Sequence, residues 1–144
     1  MTVTRGVRNN NPGNIRVGSD WLGLADPADM APAQKKERDF CVFTDPVYGI
    51  RALTKLLLKY QSKYHLYTVR QMIHRWAPPN ENATEAYVKA VAGAMHVQPD
   101  DVVRLGLDRP ALTNMVIAII AHENAGYRYP DDVVEAGIRL AAGA

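Results

Sequence analysis

Residues 112–122 read as a helix that is apolar on nearly every side. Leu112, Met115, Val116, Ile119 and Ile120 form a wide face, and Ile117 and Ala118 almost close the circle. A helix of this kind is stable only inside a domain, so the rest of the chain must be arranged around it. Asp108-Arg109-Pro110 supplies a cap and a first-turn proline. Glu123 follows directly at the other end. A carboxyl held there among aliphatic side chains is expected to be desolvated and to face the negative end of the helix dipole, and both effects raise its pKa. A raised pKa suits a general acid working near neutral pH. A solvated glutamate at a frayed helix end is the competing reading of the same residues.

Further helices are expected on both sides of the central one. Thr44-Asp45-Pro46 opens a helix to about Tyr64, with Ile50, Leu53, Leu57 and Tyr60 at helical spacing. Thr68-Val69-Arg70-Gln71 has the form of a capping box and starts a short helix with Met72, Ile73 and Trp76, ended by Pro78-Pro79. Asn82-Ala83-Thr84-Glu85 repeats that signal ahead of Tyr87, Val88, Val91 and Ala92, and the helix it opens ends near residues 93–95. Pro99-Asp100-Asp101 predicts one more helical turn, and a last amphipathic helix covers residues 130–141 with Val133, Val134, Ile138 and Leu140 as its apolar set. Residues 5–43 are rich in Gly, Pro, Asn and Asp, with β-prone pieces at 15–17 and 40–43, and predict an irregular lobe with one hairpin. The expectation is a mainly α single domain over residues 1–144, a helical bundle with a small β-hairpin and loop lobe and a ligand cleft between the two.

Composition narrows the functional classes. A formal net charge of +2 with dispersed basic residues gives no nucleic-acid footprint, although it suits an anionic wall. The one cysteine, Cys41, lies between Phe40 and Val42 and reads as a buried structural thiol rather than a nucleophile. The N-terminus carries no signal-peptide pattern, and no apolar run reaches the roughly 20 residues of a membrane span. His74, His96 and His122 lack metal-ligand spacing, so no metal and no cofactor is expected.

Ile117-Ala118-Ile119-Ile120-Ala121-His122-Glu123-Asn124-Ala125-Gly126-Tyr127-Arg128-Tyr129-Pro130 resembles the signature of lytic transglycosylases and goose-type lysozymes, with one residue inserted before the glycine. In that family the signature comes early in the domain. Here the segments that normally follow it come first: Arg8-Asn9-Asn10-Asn11-Pro12-Gly13-Asn14-Ile15-Arg16 is similar to the loop and hairpin after the catalytic Glu, and residues 43–52 to the next helix start. Thr84-Glu85-Ala86-Tyr87-Val88 is similar to the helix that closes the family domain. The resemblance therefore implies a circularly permuted lysozyme-like fold. The Asn-Asn-Pro-Gly-Asn-Ile loop, taken with residues 76–84, also resembles cell-wall-degrading proteins of phages and prophages.

The resemblance implies that Glu123 is the catalytic acid and that Asn11, Asn14, Tyr48, Asn80, Tyr87 and Tyr127 are substrate-binding residues. Asn11 and Asn14 serve either turn geometry or sugar amides, Tyr87 is either a core aromatic or a phenol holding the carboxyl, and Trp76 is either core or a sugar-stacking wall. Glu81 is the rival acid, while Glu37, after Lys35-Lys36, reads as solvated. Hydrolytic glycosidases need two carboxyls, and none besides Glu123 has a family match, which points to a lytic transglycosylase cutting the MurNAc-β-1,4-GlcNAc bond. A muramidase, a non-catalytic wall-binding virion protein and a secreted toxin are the alternatives. The expected partner is peptidoglycan glycan, without nucleic acid or membrane insertion. The protein is expected as a monomer or within a virion, made in the host cytoplasm and reaching the wall by holin-type release or virion delivery.

Overall fold

The computed structural model describes residues 3–77 and 80–143, without the side chains of Glu81 and Asn82. Among the described residues the order is α1 (Arg5–Arg8), a 3-10 turn (Pro27–Asp29), α2 (Pro32–Lys35), α3 (Pro46–Ser62), α4 (Val69–Trp76), α5 (Glu81–Met95), α6 (Arg109–Glu123) and α7 (Asp131–Ala142). The chain is mainly helical, and none of these helices is long and apolar enough to cross a membrane.

The interior is built on α6, whose Leu112, Met115, Val116, Ile119 and Ile120 are each no more than 2% exposed. Asp108 caps its start by accepting from the Ala111 amide at 3.1 Å. α5 packs on α6 and α4, and its Tyr87, Val88, Val91 and Ala92 are all buried, as the spacing predicts. α3 packs chiefly on α7. That approach is close because Gly137 lies against Ile50 and the Val47 carbonyl, where even a methyl group would collide. Leu140, expected on the inner face of α7, is instead 48% exposed.

Several boundaries differ from the sequence expectation. α5 begins at Glu81, because Asn80 accepts from the Ala83 amide at 3.3 Å and so caps the helix ahead of the anticipated Asn82 to Glu85 signal. α3 is capped by Asp45 and ends at Ser62. Pro99-Asp100-Asp101 forms a turn rather than a helix, since Asp101 turns back to accept from the Gln98 amide at 2.8 Å and Val102 pairs with Thr68. Pro78 and Pro79, expected to end α4, lie outside the described residues.

The N-terminal lobe contains α1 and α2, which its composition did not announce. The β-prone pieces do pair antiparallel, but through isolated bridges, Arg16 with Phe40 and Leu24 with Phe43, and no strand of a hairpin forms among the described residues. Asparagine side chains take over much of the backbone pairing. Asn11, fully buried, donates to the Ile15 and Cys41 carbonyls and accepts from the Ile15 amide, and Asn10 donates to the Phe43 carbonyl. Cys41 is buried, and that burial pushes its thiol pKa up, in keeping with an inert structural cysteine.

Candidate functional site

A cleft of about 520 Å³ opens between the N-terminal lobe and the bundle, lined by Gly13, Asn14, Trp76, Tyr60 and Glu123 among others. Glu123 is the last residue of α6 and is half-buried. Asn14 Nδ2 donates to its Oε1 at 3.0 Å. Asn14 holds this position with a left-handed backbone, φ 51°, a conformation asparagine tolerates better than most residues.

Tyr87 approaches the same carboxyl from α5. Burial, followed by the charge of Glu123, holds its phenol well above the ordinary tyrosine range. Its hydroxyl is buried, lies within electrostatic reach of Glu123, and has no partner at normal hydrogen-bond geometry among the described residues. The exposed His122 ring stacks on Tyr87, with centroids 3.8 Å apart and an interplanar angle of 26°. It covers the outer face of the phenol.

The seat of Glu123 is locked by its neighbour. Asn124 is 2% exposed, and its Nδ2 donates to the Pro12 carbonyl at 2.8 Å and to the Ile120 carbonyl at 2.9 Å. Its Oδ1 accepts from Thr4 Oγ1 at 2.8 Å. Asn124, one of the two residues between Glu123 and Gly126, thus ties the end of α6 to the N-terminal residues. An asparagine straight after an apolar helix is a known stop signal, and that was the available clue.

One wall of the cleft is aromatic. Trp76 is half-buried, with Tyr60 edge-on at 6.2 Å, and a side chain at Gly13 would approach the indole to 2.9 Å. Arg5 and Arg16, also in the lining, each lie 4.8 Å from the centroid of Phe40. Arg5 also pairs with Glu37 at 3.1 Å, and Arg8 donates to the same oxygen at 2.8 Å. The reading of Glu37 as solvated is corrected: only 2% of its side chain is exposed. Burial acts to raise its pKa, but the Asn9 amide, the Arg5 charge and backbone N–H groups at Asp39 and Phe40 outweigh it and lower the value. The polar run around it concealed this, because sequence does not show which way a loop side chain turns.

No protein-family model matches the chain. It is 36% identical over 139 residues to protein P5 of Pseudoalteromonas phage PM2, covering 94% of this chain and 80% of that protein. The chain belongs to the family of protein P5. The similarity ties it to bacteriophage, as the N-terminal loop resemblance implied.

In this P5-family chain the remaining site candidates do not join Glu123. Asn11 supports the loop that presents Asn14, and its whole amide is spent there. Asn80 is the cap of α5. Tyr48 is half-buried beneath Gly23, whose missing side chain leaves room for the ring, and does not line the cleft. Tyr127 is 41% exposed and meets Tyr129 edge-on at 4.8 Å, also away from the cleft. The side chain of Glu81, the rival acid, lies outside the described residues. Among the described residues no group of three His, Cys, Asp or Glu side chains is arranged to hold a metal ion.

Proposed function

We propose that the protein is a phage lytic transglycosylase that cuts the MurNAc-β-1,4-GlcNAc bond of peptidoglycan with Glu123 as its one acid and base. The observation that carries this reading is that Glu123 is the sole carboxyl among the described residues lining a cleft with an aromatic wall, and that it is held by an amide from the opposite lobe. A hydrolase of the usual kind places two carboxyls around the scissile bond. One suffices when the substrate provides its own nucleophile.

In the proposed reaction the Glu123 carboxyl gives its proton to the glycosidic oxygen as the bond from muramoyl C1 to that oxygen breaks. The resulting carboxylate then takes the proton of the muramoyl 6-hydroxyl, whose oxygen bonds to C1 and closes an anhydro ring, returning the enzyme to its starting state. Asn14 fixes the rotamer of the carboxyl, Tyr87 supplies a neutral hydroxyl beside it, and Trp76 offers a ring face to a pyranose. The proposed fold is lysozyme-like and circularly permuted. Its support is that Glu123, late in the chain, is seated on the N-terminal residues 9–14 and beside Tyr87 of α5.

The test is digestion of purified sacculi by the parent protein and by Glu123→Gln. The parent is expected to release 1,6-anhydromuropeptides, detected by mass spectrometry, and the variant to release none. Reducing-end products would instead mean a muramidase. Equal clearing by the folded variant would remove Glu123 from the mechanism. The family tie to a phage protein favours one other reading, a virion component that binds the wall without cutting it; that reading requires sedimentation with sacculi and no soluble products. Delivery after synthesis in the host cytoplasm, by holin-type release or within a virion, belongs to the same proposal.

A further inference from the structure

We infer that Arg16 is a receptor for the free carboxylates of the peptide stems carried by the glycan, so that this cleft selects stem-bearing, unamidated peptidoglycan. The inference takes its ligand from the proposed wall-directed function and adds what recognises the strand beyond its sugars.

Two guanidinium groups are gathered on one aromatic ring at the cleft, Arg5 and Arg16 on Phe40. Their charges are not equivalent. Arg5 has a carboxylate partner, Glu37, which it shares with Arg8, whereas Arg16 has no carboxylate partner among the described residues. Its backbone is nevertheless held. Arg16 bridges to Phe40, the Val17 amide donates to the Asp39 carbonyl at 3.0 Å, and the Cys41 amide donates to the Ile15 carbonyl at 2.9 Å. Arg16 is thus an exposed residue on a paired backbone, with its guanidinium over the Phe40 ring, no carboxylate partner among the described residues, and a place in the lining of the same cleft as Glu123.

A guanidinium with free donors is matched best by a carboxylate or phosphate, which it binds through paired N–H groups. Purified peptidoglycan contains such carboxylates in its stem peptides. The muramoyl sugar itself carries none when its lactyl group is joined to a stem, because that carboxyl is then an amide. The stem leaves from the very sugar whose C1 the proposed reaction attacks, so its carboxylates hang beside the cleft wall. Charge complementarity thus selects the stem rather than the glycan as the partner of Arg16.

Binding is to be measured by sedimentation with native sacculi and with sacculi whose carboxylates have been coupled to glycinamide, using Glu123→Gln protein to prevent cutting. Native sacculi are expected to bind about tenfold more tightly than neutralised ones, and adding Arg16→Gln is expected to cost about tenfold on native sacculi and nothing on neutralised ones. Arg16→Lys, which keeps the charge and loses the fork, should fall between. Lys55→Gln removes a cation outside this cleft and should leave binding unchanged. Equal binding of both kinds of sacculi, unchanged native binding by Arg16→Gln, or an equal loss in Lys55→Gln overturns the inference. If the Arg16-dependent preference persists while parent protein releases no fragments, the catalytic reading alone fails. If Glu123-dependent cutting is indifferent to neutralisation, only the Arg16 inference fails.

Discussion

Asn14 and Glu123 are 109 positions apart in the chain, and the amide of the first donates to the carboxyl of the second at 3.0 Å. The contact joins the N-terminal loop to the last residue of the central helix. It is the one side-chain hydrogen bond that directly holds the candidate acid among the described residues, so its removal should act on chemistry more than on folding. Asn14→Gly is the suitable change, because glycine accepts the left-handed backbone at this position without strain. Losing one side-chain hydrogen bond of about 1 kcal/mol corresponds to roughly fivefold. Sacculus digestion should slow by that factor through kcat, with KM and the melting temperature near the parent values.

Tyr87→Phe removes only a buried hydroxyl that has no partner at normal hydrogen-bond geometry among the described residues. Stability at neutral pH should be unchanged or up to about 1 kcal/mol higher, since an unpaired buried polar group is unfavourable. Digestion should slow if the hydroxyl orients Glu123; an unaltered rate would reduce Tyr87 to a core aromatic. The parent should also lose stability as pH rises above the ordinary tyrosine value of 10.0, because the phenol's folded value is raised and the unfolded chain ionises first. Denaturant titrations at about pH 8 and about pH 11 should show a shallower loss for the variant.

Glu37→Gln tests the buried anchor of the lobe. The folded value of Glu37 is lowered, so its contribution is present above the ordinary 4.5 and lost as pH falls below it. The variant should be less stable by roughly 1–2 kcal/mol near neutral pH, a figure discounted because the Arg5 and Arg8 partners are open to solvent. The difference from the parent should shrink on acidification, as followed by chemical denaturation.

Asn124→Ala leaves the Pro12 carbonyl and Thr4 hydroxyl without their amide partner in a buried setting. A loss on the order of 2–4 kcal/mol is expected. Digestion should fall as well, because the adjoining Glu123 is no longer pinned to the N-terminal loop. A variant with parental melting and activity would show that the tie is dispensable.

The helices were largely legible because each carries its own periodicity. Leu112 to Ile120 declare a buried helix, and Tyr87 through Ala92 fall on the inner face where their spacing puts them. Local competition for caps was less legible: Asn80 and Asn82 offer the same capping chemistry two positions apart, and the structure shows Asn80 accepting from the Ala83 amide. The loop was the least legible. Asn9, Asn11 and Asn14 are the same residue type within one turn-prone stretch, yet Asn9 serves Glu37, Asn11 serves the backbone, and Asn14 alone reaches the cleft. Arg16 was within reach, since the pairing of the two β-prone pieces sets it beside Phe40. The pairing of Arg5 with Glu37 was not.

What the sequence by itself determined is the five longer helices, α3 to α7, and the candidate acid at the end of the apolar one, since helical period, caps and local composition act over a few residues. The tertiary structure alone decided which side chains meet Glu123, that the Glu37 side chain is buried, and that Arg5 has a carboxylate partner while Arg16 has none among the described residues. Those outcomes depend on contacts between distant segments, where direction, burial and pairing are set by packing rather than by neighbours in the chain.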